Sequence, residues 1–320
     1  MTQEPTPNAE TVRRLVRSLL HGEGPGEGPE VTPVAAGPGH STWWVGARHV
    51  LRLATDRDSS ARRRRELRLR ALVRPRMRIA VPTSIAHGEW APGLAYTLDT
   101  RLPGATGEGA RVSAVGETDL AELLAGLREV PVRQAEPLGV PRVPPRSLEK
   151  LRTAAAAAAE RLAEADEFDP AGVARLTVTG ARQLTAQTGA PVLVHHGLAD
   201  DHLVVSGDGR VRGVLGWDDA VIGDPAEDIA GLALAVGAPA AVRSATLAGY
   251  GARPCLRGLW LARCDALLRL AAGTRGHDRT PLPILRTRTH HAWEPILLER
   301  VTALPGTRGR SGAGGGASGP

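Results

Sequence analysis

The chain has 320 residues, a net charge of +6 and an ordinary hydrophobic fraction of 42%, which suffices for one large domain or two smaller lobes. Its basic runs are scattered and not interleaved with aromatic residues, so charge alone makes nucleic-acid binding the least favoured function. Two lone cysteines, Cys255 and Cys264, fit no zinc spacing and are typical of a reducing, cytoplasmic setting. No signal-peptide pattern and no run of about 18 apolar residues occurs, so we expect no membrane association.

The first hundred residues predict a small lobe of strands with one inserted helix, over residues 10–104, after a disordered segment 1–9. Its predicted elements are a helix over 10–20, strands over 31–35, 42–45 and 49–53, a basic helix over 58–73, and strands over 81–86 and 95–100. The turn Gly37-Pro38-Gly39 lies between the first two strands. It is first a tight turn, although a phosphate-covering loop is an open alternative because an isolated Gly-x-Gly is a weak signal.

Residues 105–305 predict a larger, mainly helical lobe with one strand-rich interruption over 192–228. Helices are expected over 118–130, from the Ser147 cap to 165, from Asp169-Pro170, and from Asp224-Pro225 to 236, with more helices following. Within the interruption, strand 192–194 precedes a hairpin of strands 202–205 and 212–217. The Gly- and Ser-rich segment 306–320 predicts a disordered tail.

The interruption contains two polar segments in a definite arrangement. The first, Val-His-His-Gly-Leu-Ala-Asp-Asp-His-Leu-Val-Val over 194–205, follows the buried strand. The second, Gly-Val-Leu-Gly-Trp-Asp-Asp-Ala-Val-Ile-Gly-Asp-Pro over 213–225, ends the hairpin and opens a helix. Together they resemble the catalytic core of the aminoglycoside phosphotransferase family. The resemblance implies an α+β, protein-kinase-like fold of two lobes, ATP or GTP with Mg²⁺ as cofactor, and a hydroxylated metabolite or antibiotic as the small-molecule partner.

The family's catalytic aspartate and one of its metal aspartates have no counterpart in this chain. His195 matches the loop histidine, but the catalytic Asp position is Gly197 and the metal Asp position is Gly216. In the alternative register the Asp position becomes Leu198, which is no better as a base. The metal-binding Asn position is His202, as in the macrolide-modifying branch, where the resemblance is therefore closer; a ring nitrogen can ligate a metal.

Other positions of the family pattern are retained. In the helical lobe the matching acids are Asp219, Asp224 and Asp228, with Gly223 and Pro225 beside them. In the small lobe, Arg52 stands where the family has a cation that meets the nucleotide phosphates. Glu66 stands where a helix carboxylate pairs with that cation, although a plain surface ion pair would also explain it.

Three further acids could compensate for the missing pair. Asp200 and Asp201 lie in the first segment, and Asp218 lies two residues after Gly216, which on a strand would place both on one face. A shifted metal site of His202 and Asp218 is therefore a hypothesis beside the simpler one that these acids are solvated loop residues.

Three functions follow, in order of preference. The first is a catalytically impaired, pseudokinase-like phosphotransferase that binds a nucleotide or small molecule. The second is an active ATP- or GTP-dependent small-molecule kinase with displaced acids. The third is a basic nucleic-acid-binding protein, whose affinity would fall steeply with salt.

Overall fold

The computed structural model describes residues 7–20, 28–34, 41–106, 111–185, 191–198 and 202–296. The predicted turn Gly37-Pro38-Gly39, the candidate acids Asp200 and Asp201, and the predicted tail 306–320 lie outside the described residues.

An antiparallel five-stranded sheet forms the N-terminal lobe. Its strands are β1 (Val31–Pro33), β2 (Thr42–Val45), β3 (His49–Leu53), β4 (Ser84–Ala91) and β5 (Leu94–Thr100), in the order β1-β2-β3-β5-β4. Helix α1 (Ala9–Leu19) begins after Asn8, whose side chain accepts the Thr11 N–H. Helix α2 (Arg57–Val73) begins with a reciprocal capping box between Asp56 and Ser59, which satisfies N–H groups that the first turn leaves free.

The two faces of this sheet differ in chemistry because side chains alternate along a strand. One face packs an apolar cluster with α1, including Val12, Val16, Leu51 and Leu98. The opposite face carries polar side chains beneath α2, where Arg70 donates to Asp99 at 3.0 Å. The sheet therefore places charged groups on the side that faces the rest of the molecule.

The C-terminal lobe is mainly helical. Its helices are α3 (Ala114–Glu129), α4 (Val132–Ala135), α5 (Leu148–Glu164), α6 (Val178–Gln183), α7 (Ala226–Val236), α8 (Ala238–Leu247), α9 (Ala252–Gly273) and α10 (Leu282–Trp293). Helix α9 is largely buried and packs against α5, α7 and α10. No helix in the described part of the chain is both long and apolar enough to span a bilayer.

Two small antiparallel sheets interrupt these helices at the boundary with the first lobe. Strand β8 (Leu203–Val205) pairs with β6 (Ala105–Thr106) and β9 (Val211–Val214), and β7 (Val192–Val194) pairs with β10 (Val221–Gly223). This mixture of an antiparallel N-terminal sheet and a helical C-terminal part confirms the predicted α+β, kinase-like class.

Two local predictions were wrong. The strand expected over 81–86 lies at Ser84–Ala91, because Pro82 lacks the N–H that a strand pairing needs. The second hairpin strand, expected to reach Trp217, ends at Val214. Gly216 has a left-handed backbone (φ 70°), and a short 3₁₀ turn follows over Trp217–Asp219. The prediction that Asp218 and Gly216 share one strand face was therefore wrong.

Candidate functional site

We call the space between the two lobes the cleft. Its N-terminal side has a buried ion pair. Arg52, on β3, donates from Nη1 to both carboxylate oxygens of Glu66 on α2, at 2.7 and 2.8 Å. Glu66 is 1% exposed, and Arg70 Nε lies 3.8 Å from its Oε1. Burial alone would lower the pKa of Arg52, but the attraction of Glu66 outweighs it and the pKa is raised. The two residues matched from the family pattern are thus in direct contact.

The loop after β7 begins with a fully buried histidine. His195 Nε2 lies 2.7 Å from the Leu215 carbonyl oxygen, so this nitrogen carries the hydrogen and donates it. Its ring meets Trp217 edge-on, with centroids 4.8 Å apart. Burial, helped by the neighbouring His202, lowers the pKa of His195 to about 3, so the ring stays neutral at physiological pH. His195 therefore connects the loop to the strand that precedes Gly216.

Asp228, at the start of α7, fixes the backbone of the same loop. Its carboxylate accepts the N–H groups of His195 and His196 at 2.8 and 2.9 Å. His196 adopts a left-handed backbone (φ 67°), which is unusual for a residue with a side chain. Burial raises the pKa of Asp228 to about 7, against the two donors, which favour the ionised form. The loop backbone is therefore held in place although Gly197 stands at the predicted position of the catalytic acid.

The imidazole of His202 lies against both glycines that stand at the missing acid positions. Its Nδ1 donates to the Gly197 carbonyl oxygen at 2.8 Å. A Cβ atom added at Gly216 would lie 2.4–2.5 Å from three atoms of the ring, and one added at Gly197 would lie 2.8 Å from Nδ1. Real Cβ atoms do not approach so closely, so an aspartate at position 216 requires the ring to move. The resemblance implied that these positions belong to one site, but not that the His202 ring fills the space beside both glycines.

The residues here do not fit a magnesium ion. Mg²⁺ prefers several oxygen ligands in octahedral geometry. At the positions where the family pattern has metal ligands, this chain has His202, which offers an imidazole nitrogen, and Gly216, which has no side chain that could ligate a metal. Across the described ranges, no three His, Cys, Asp or Glu residues form a group that could hold a metal. The hypothesis of a shifted site built on His202 and Asp218 gains no third ligand from this geometry.

The remaining matched acids have different surroundings. The backbone oxygen of Asp218 accepts Arg65 Nη2 at 2.6 Å, and its carboxylate contributes to the raised pKa of Arg52, so it faces the cleft. Asp219 is exposed. Asp224 accepts the Ala226 N–H at 3.0 Å and pairs with Arg257 Nε at 2.5 Å. Through these two contacts, Asp224 joins the start of α7 to α9.

A cavity of about 1020 Å³ lies in the helical lobe, between the start of α5, α6, β10 and the start of α9. Much of its wall is apolar, including Pro144, Leu148, Ile222 and Pro254. Gly223, Asp224 and Pro225, which match the family pattern in the sequence, also lie in its wall. The size is sufficient for a small-molecule ligand.

Comparisons with known proteins agree with this geometry. The family model described as APH, phosphotransferase enzyme family, matches residues 30–259. Among solved structures, the GDP complex of wild-type aminoglycoside 2'-phosphotransferase-IIIa is similar, with a TM-score of 0.63, 16% identity, and coverage of 90% of this chain and 99% of that one. The macrolide 2'-phosphotransferase MphH from Brachybacterium faecium, as apoenzyme, has a TM-score of 0.56 and 21% identity, with coverage of 90% and 99%.

The macrolide 2'-phosphotransferase type I has a TM-score of 0.54 and 19% identity, with coverage of 89% of this chain and 98% of that one. At these identities the structural likeness shows the fold. No curated protein sequence gives a significant match. The match of the family model over most of the chain shows that this protein belongs to the APH phosphotransferase enzyme family.

Proposed function

We propose that the protein is a nucleotide-binding member of its family in which phosphoryl transfer is impaired. One observation carries the proposal: glycine stands at both acid positions, and the ring of His202 fills the space beside them. The scaffold that would hold those acids is retained, including the two Asp228 contacts to the loop.

The expected loss of rate is large. A positioned base contributes typically about 10²–10⁴-fold, and Gly197 supplies none. A metal carboxylate supports the ions that neutralise the transferring phosphoryl group, and Gly216 supplies none. Efficient turnover would require substitutes. Of the three candidate acids, Asp218 faces the cleft from a turn, and Asp200 and Asp201 lie outside the described residues.

Nucleotide binding is supported by the other side of the cleft. Arg52 is held in place by Glu66, so its guanidinium is preorganised for an anionic phosphate. Related structures contain GDP in one case and ATP in another, at 16% and 14% identity. We infer that this chain binds ATP or GTP. Binding should not depend on magnesium, because the donor set near His202 does not suit that ion.

A small hydroxylated molecule is the expected second ligand. Related structures contain kanamycin and gentamicin. The 1020 Å³ cavity of the helical lobe is the candidate position for such a molecule in this chain. Both cysteines are buried and free, which supports a cytoplasmic location for the protein.

The test compares nucleotide binding and phosphoryl transfer in three proteins. Calorimetry with ATP and GTP should give the same affinity for the wild type with and without Mg²⁺, and assays of ATP hydrolysis should show no turnover above background. The double variant Gly197→Asp/Gly216→Asp should remain inactive because the His202 ring occupies the required space. The triple variant that adds His202→Asn should gain Mg²⁺-dependent binding and measurable hydrolysis.

The other functions predict different results. Mg²⁺-dependent hydrolysis by the wild type would support displaced acids and contradict impairment. A wild type that binds neither nucleotide would contradict nucleotide binding. Tight association with DNA or RNA that weakens steeply with salt, without nucleotide binding, would favour the nucleic-acid alternative.

A further inference from the structure

A groove of about 550 Å³ opens between helix α2 and the edge of the N-terminal sheet. It is lined by Arg63, Arg64, Leu67 and Arg68 from α2, and by residues of β4 and β5 that include Glu89 and Tyr96. It contains none of the cleft residues Arg52, Gly197, His202 or Gly216. The groove is therefore a separate cavity that adjoins the cleft at Thr97, the cross-strand partner of Arg52.

One side chain in this groove is buried without a partner. Arg63 is 9% exposed, and its Nε and Nη1 atoms are buried with no hydrogen-bond acceptor among the described residues. The adjacent arginines are engaged, since Arg64 Nη2 donates to Glu89 Oε1 at 2.6 Å and Arg68 Nε to the Arg64 carbonyl oxygen at 3.3 Å. Buried charged donors without acceptors are costly and are expected to have a ligand.

The surrounding charges do not neutralise this guanidinium. Three carboxylates attract it, but Glu66, one turn further along α2, is already bound to Arg52, Asp99 is bound to Arg70, and Asp218 forms no hydrogen bond with it. Burial, followed by the repulsion of Arg52, lowers the pKa of Arg63 to about 10, so the side chain remains protonated at neutral pH. A positive charge therefore persists beneath the groove, and its Nε and Nη1 donors have no acceptor among the described residues.

We propose that this groove binds a small ligand through a phosphate or carboxylate group that pairs with Arg63. Arg64 and Arg68 add positive charge at the rim, and Tyr96 and Leu67 offer apolar surface for the rest of the ligand. Charge-assisted hydrogen bonds from a planar guanidinium are suited to both oxyanions. A volume of this order accommodates a small metabolite.

The experiment measures the binding of inorganic phosphate, and separately of citrate, by calorimetry at constant ionic strength. We expect Arg63→Gln to weaken the binding of at least one of these anions about tenfold or more. Arg133→Gln, which removes an exposed arginine on α4, controls for general screening and should leave both affinities unchanged. Arg52→Gln reports anion binding at the cleft, so binding that is lost in Arg52→Gln and kept in Arg63→Gln is assigned to the cleft.

Thermal unfolding verifies that the variants are folded. Because Arg63→Gln removes a buried charge without a partner, the variant should be at least as stable as the wild type when no anion is present, and phosphate or citrate should no longer stabilise it. The proposal is wrong if neither anion binds the wild type at millimolar concentration. It is also wrong if Arg52→Gln abolishes binding while Arg63→Gln does not, or if Arg133→Gln weakens it equally.

Discussion

The two sides of the cleft have diverged differently from the family pattern. On the N-terminal side, the cation and its carboxylate are both present, and Arg52 contacts Glu66 through two short hydrogen bonds. On the C-terminal side, Gly197 and Gly216 stand at the predicted acid positions, and the ring of His202 lies against both. The first side has the ion pair that the family pattern predicts, whereas the second has glycine where the pattern has acids.

This difference indicates that the loop after β7 is held by contacts other than those of acids at positions 197 and 216. The loop backbone is held by Asp228, and its strand by the contact of His195 with Leu215. These contacts bury polar groups that need partners, so their loss would destabilise the protein whether or not it is an enzyme.

The largest effect on stability is expected on the N-terminal side of the cleft, at Glu66. Glu66→Gln removes a buried negative charge from between Arg52 and Arg70, and should destabilise the protein by about 3–5 kcal/mol. Nucleotide affinity should fall as well, because Arg52 loses its preorganising partner. Urea unfolding and calorimetry measure the two effects.

The matched control is Glu122→Gln on α3. Glu122 pairs with the exposed Arg78 at 3.9 Å, so its loss should cost at most about 1 kcal/mol. Equal costs for Glu66→Gln and Glu122→Gln would contradict the view that the cleft pair is a buried structural unit.

A smaller effect on stability is expected on the C-terminal side of the cleft, where Gly216 lies against His202. Gly216→Ala places a Cβ atom within 2.5 Å of the His202 ring and on a left-handed backbone, which should cost about 2–3 kcal/mol. In the background of His202→Ala the steric part should disappear, so the two substitutions should couple by about 1–2 kcal/mol in a double-mutant cycle.

Gly207→Ala is the control for this cycle, since a Cβ atom there meets no neighbour within 4 Å. Purely additive energies for Gly216→Ala and His202→Ala would show that the ring does not fill the space beside the missing acid.

A still smaller effect concerns pH. The folded pKa of His195 is about 3 against 6.5 in a free histidine, so this group makes stability rise with pH between those values. The folded pKa of Asp228 is about 7 against 3.8, so this group makes stability fall with rising pH between those values. Their contributions oppose each other between about pH 4 and 6.5.

His195→Gln removes the contribution of His195, so the pH dependence of the unfolding free energy that is due to Asp228 should become measurable. Its unfolding free energy, relative to that of the wild type, should decrease by up to about 1 kcal/mol for each unit of rising pH from 4.5 to 6.5. Urea titrations at three pH values provide the measurement. Parallel pH profiles for the two proteins would contradict this opposition.

The smallest effect is expected for Asp218→Asn. The structure shows no hydrogen bond to this carboxylate from any described residue, so stability should change by no more than about 0.5 kcal/mol. Nucleotide affinity should be unchanged or slightly tighter, since a negative charge leaves the cleft. Loss of a Mg²⁺ response in calorimetry on this substitution would instead identify Asp218 as a displaced metal ligand.

Much of the fold could be predicted from local pattern. The strands 42–45, 49–53 and 192–194 agree with the structure residue for residue, because short β-branched and aromatic runs lay between clear turn signals. The helix from Asp224-Pro225 was predicted from its start signal. Strand β4 was misplaced because Pro82 has no N–H to donate, so the pairing with β5 begins only at Ser84.

The sequence by itself determined the residue types at the motif positions, and alignment with the family pattern predicts that Gly197 and Gly216 stand at the acid positions. Only the tertiary structure decided what stands in their place. The ring of His202 meets Gly216 across 14 positions of sequence, and the unpartnered Arg63 faces strands that lie more than twenty residues away. Sequence spacing predicts neighbours along one element, whereas burial and steric exclusion arise where separate elements pack, and they are set by the whole fold.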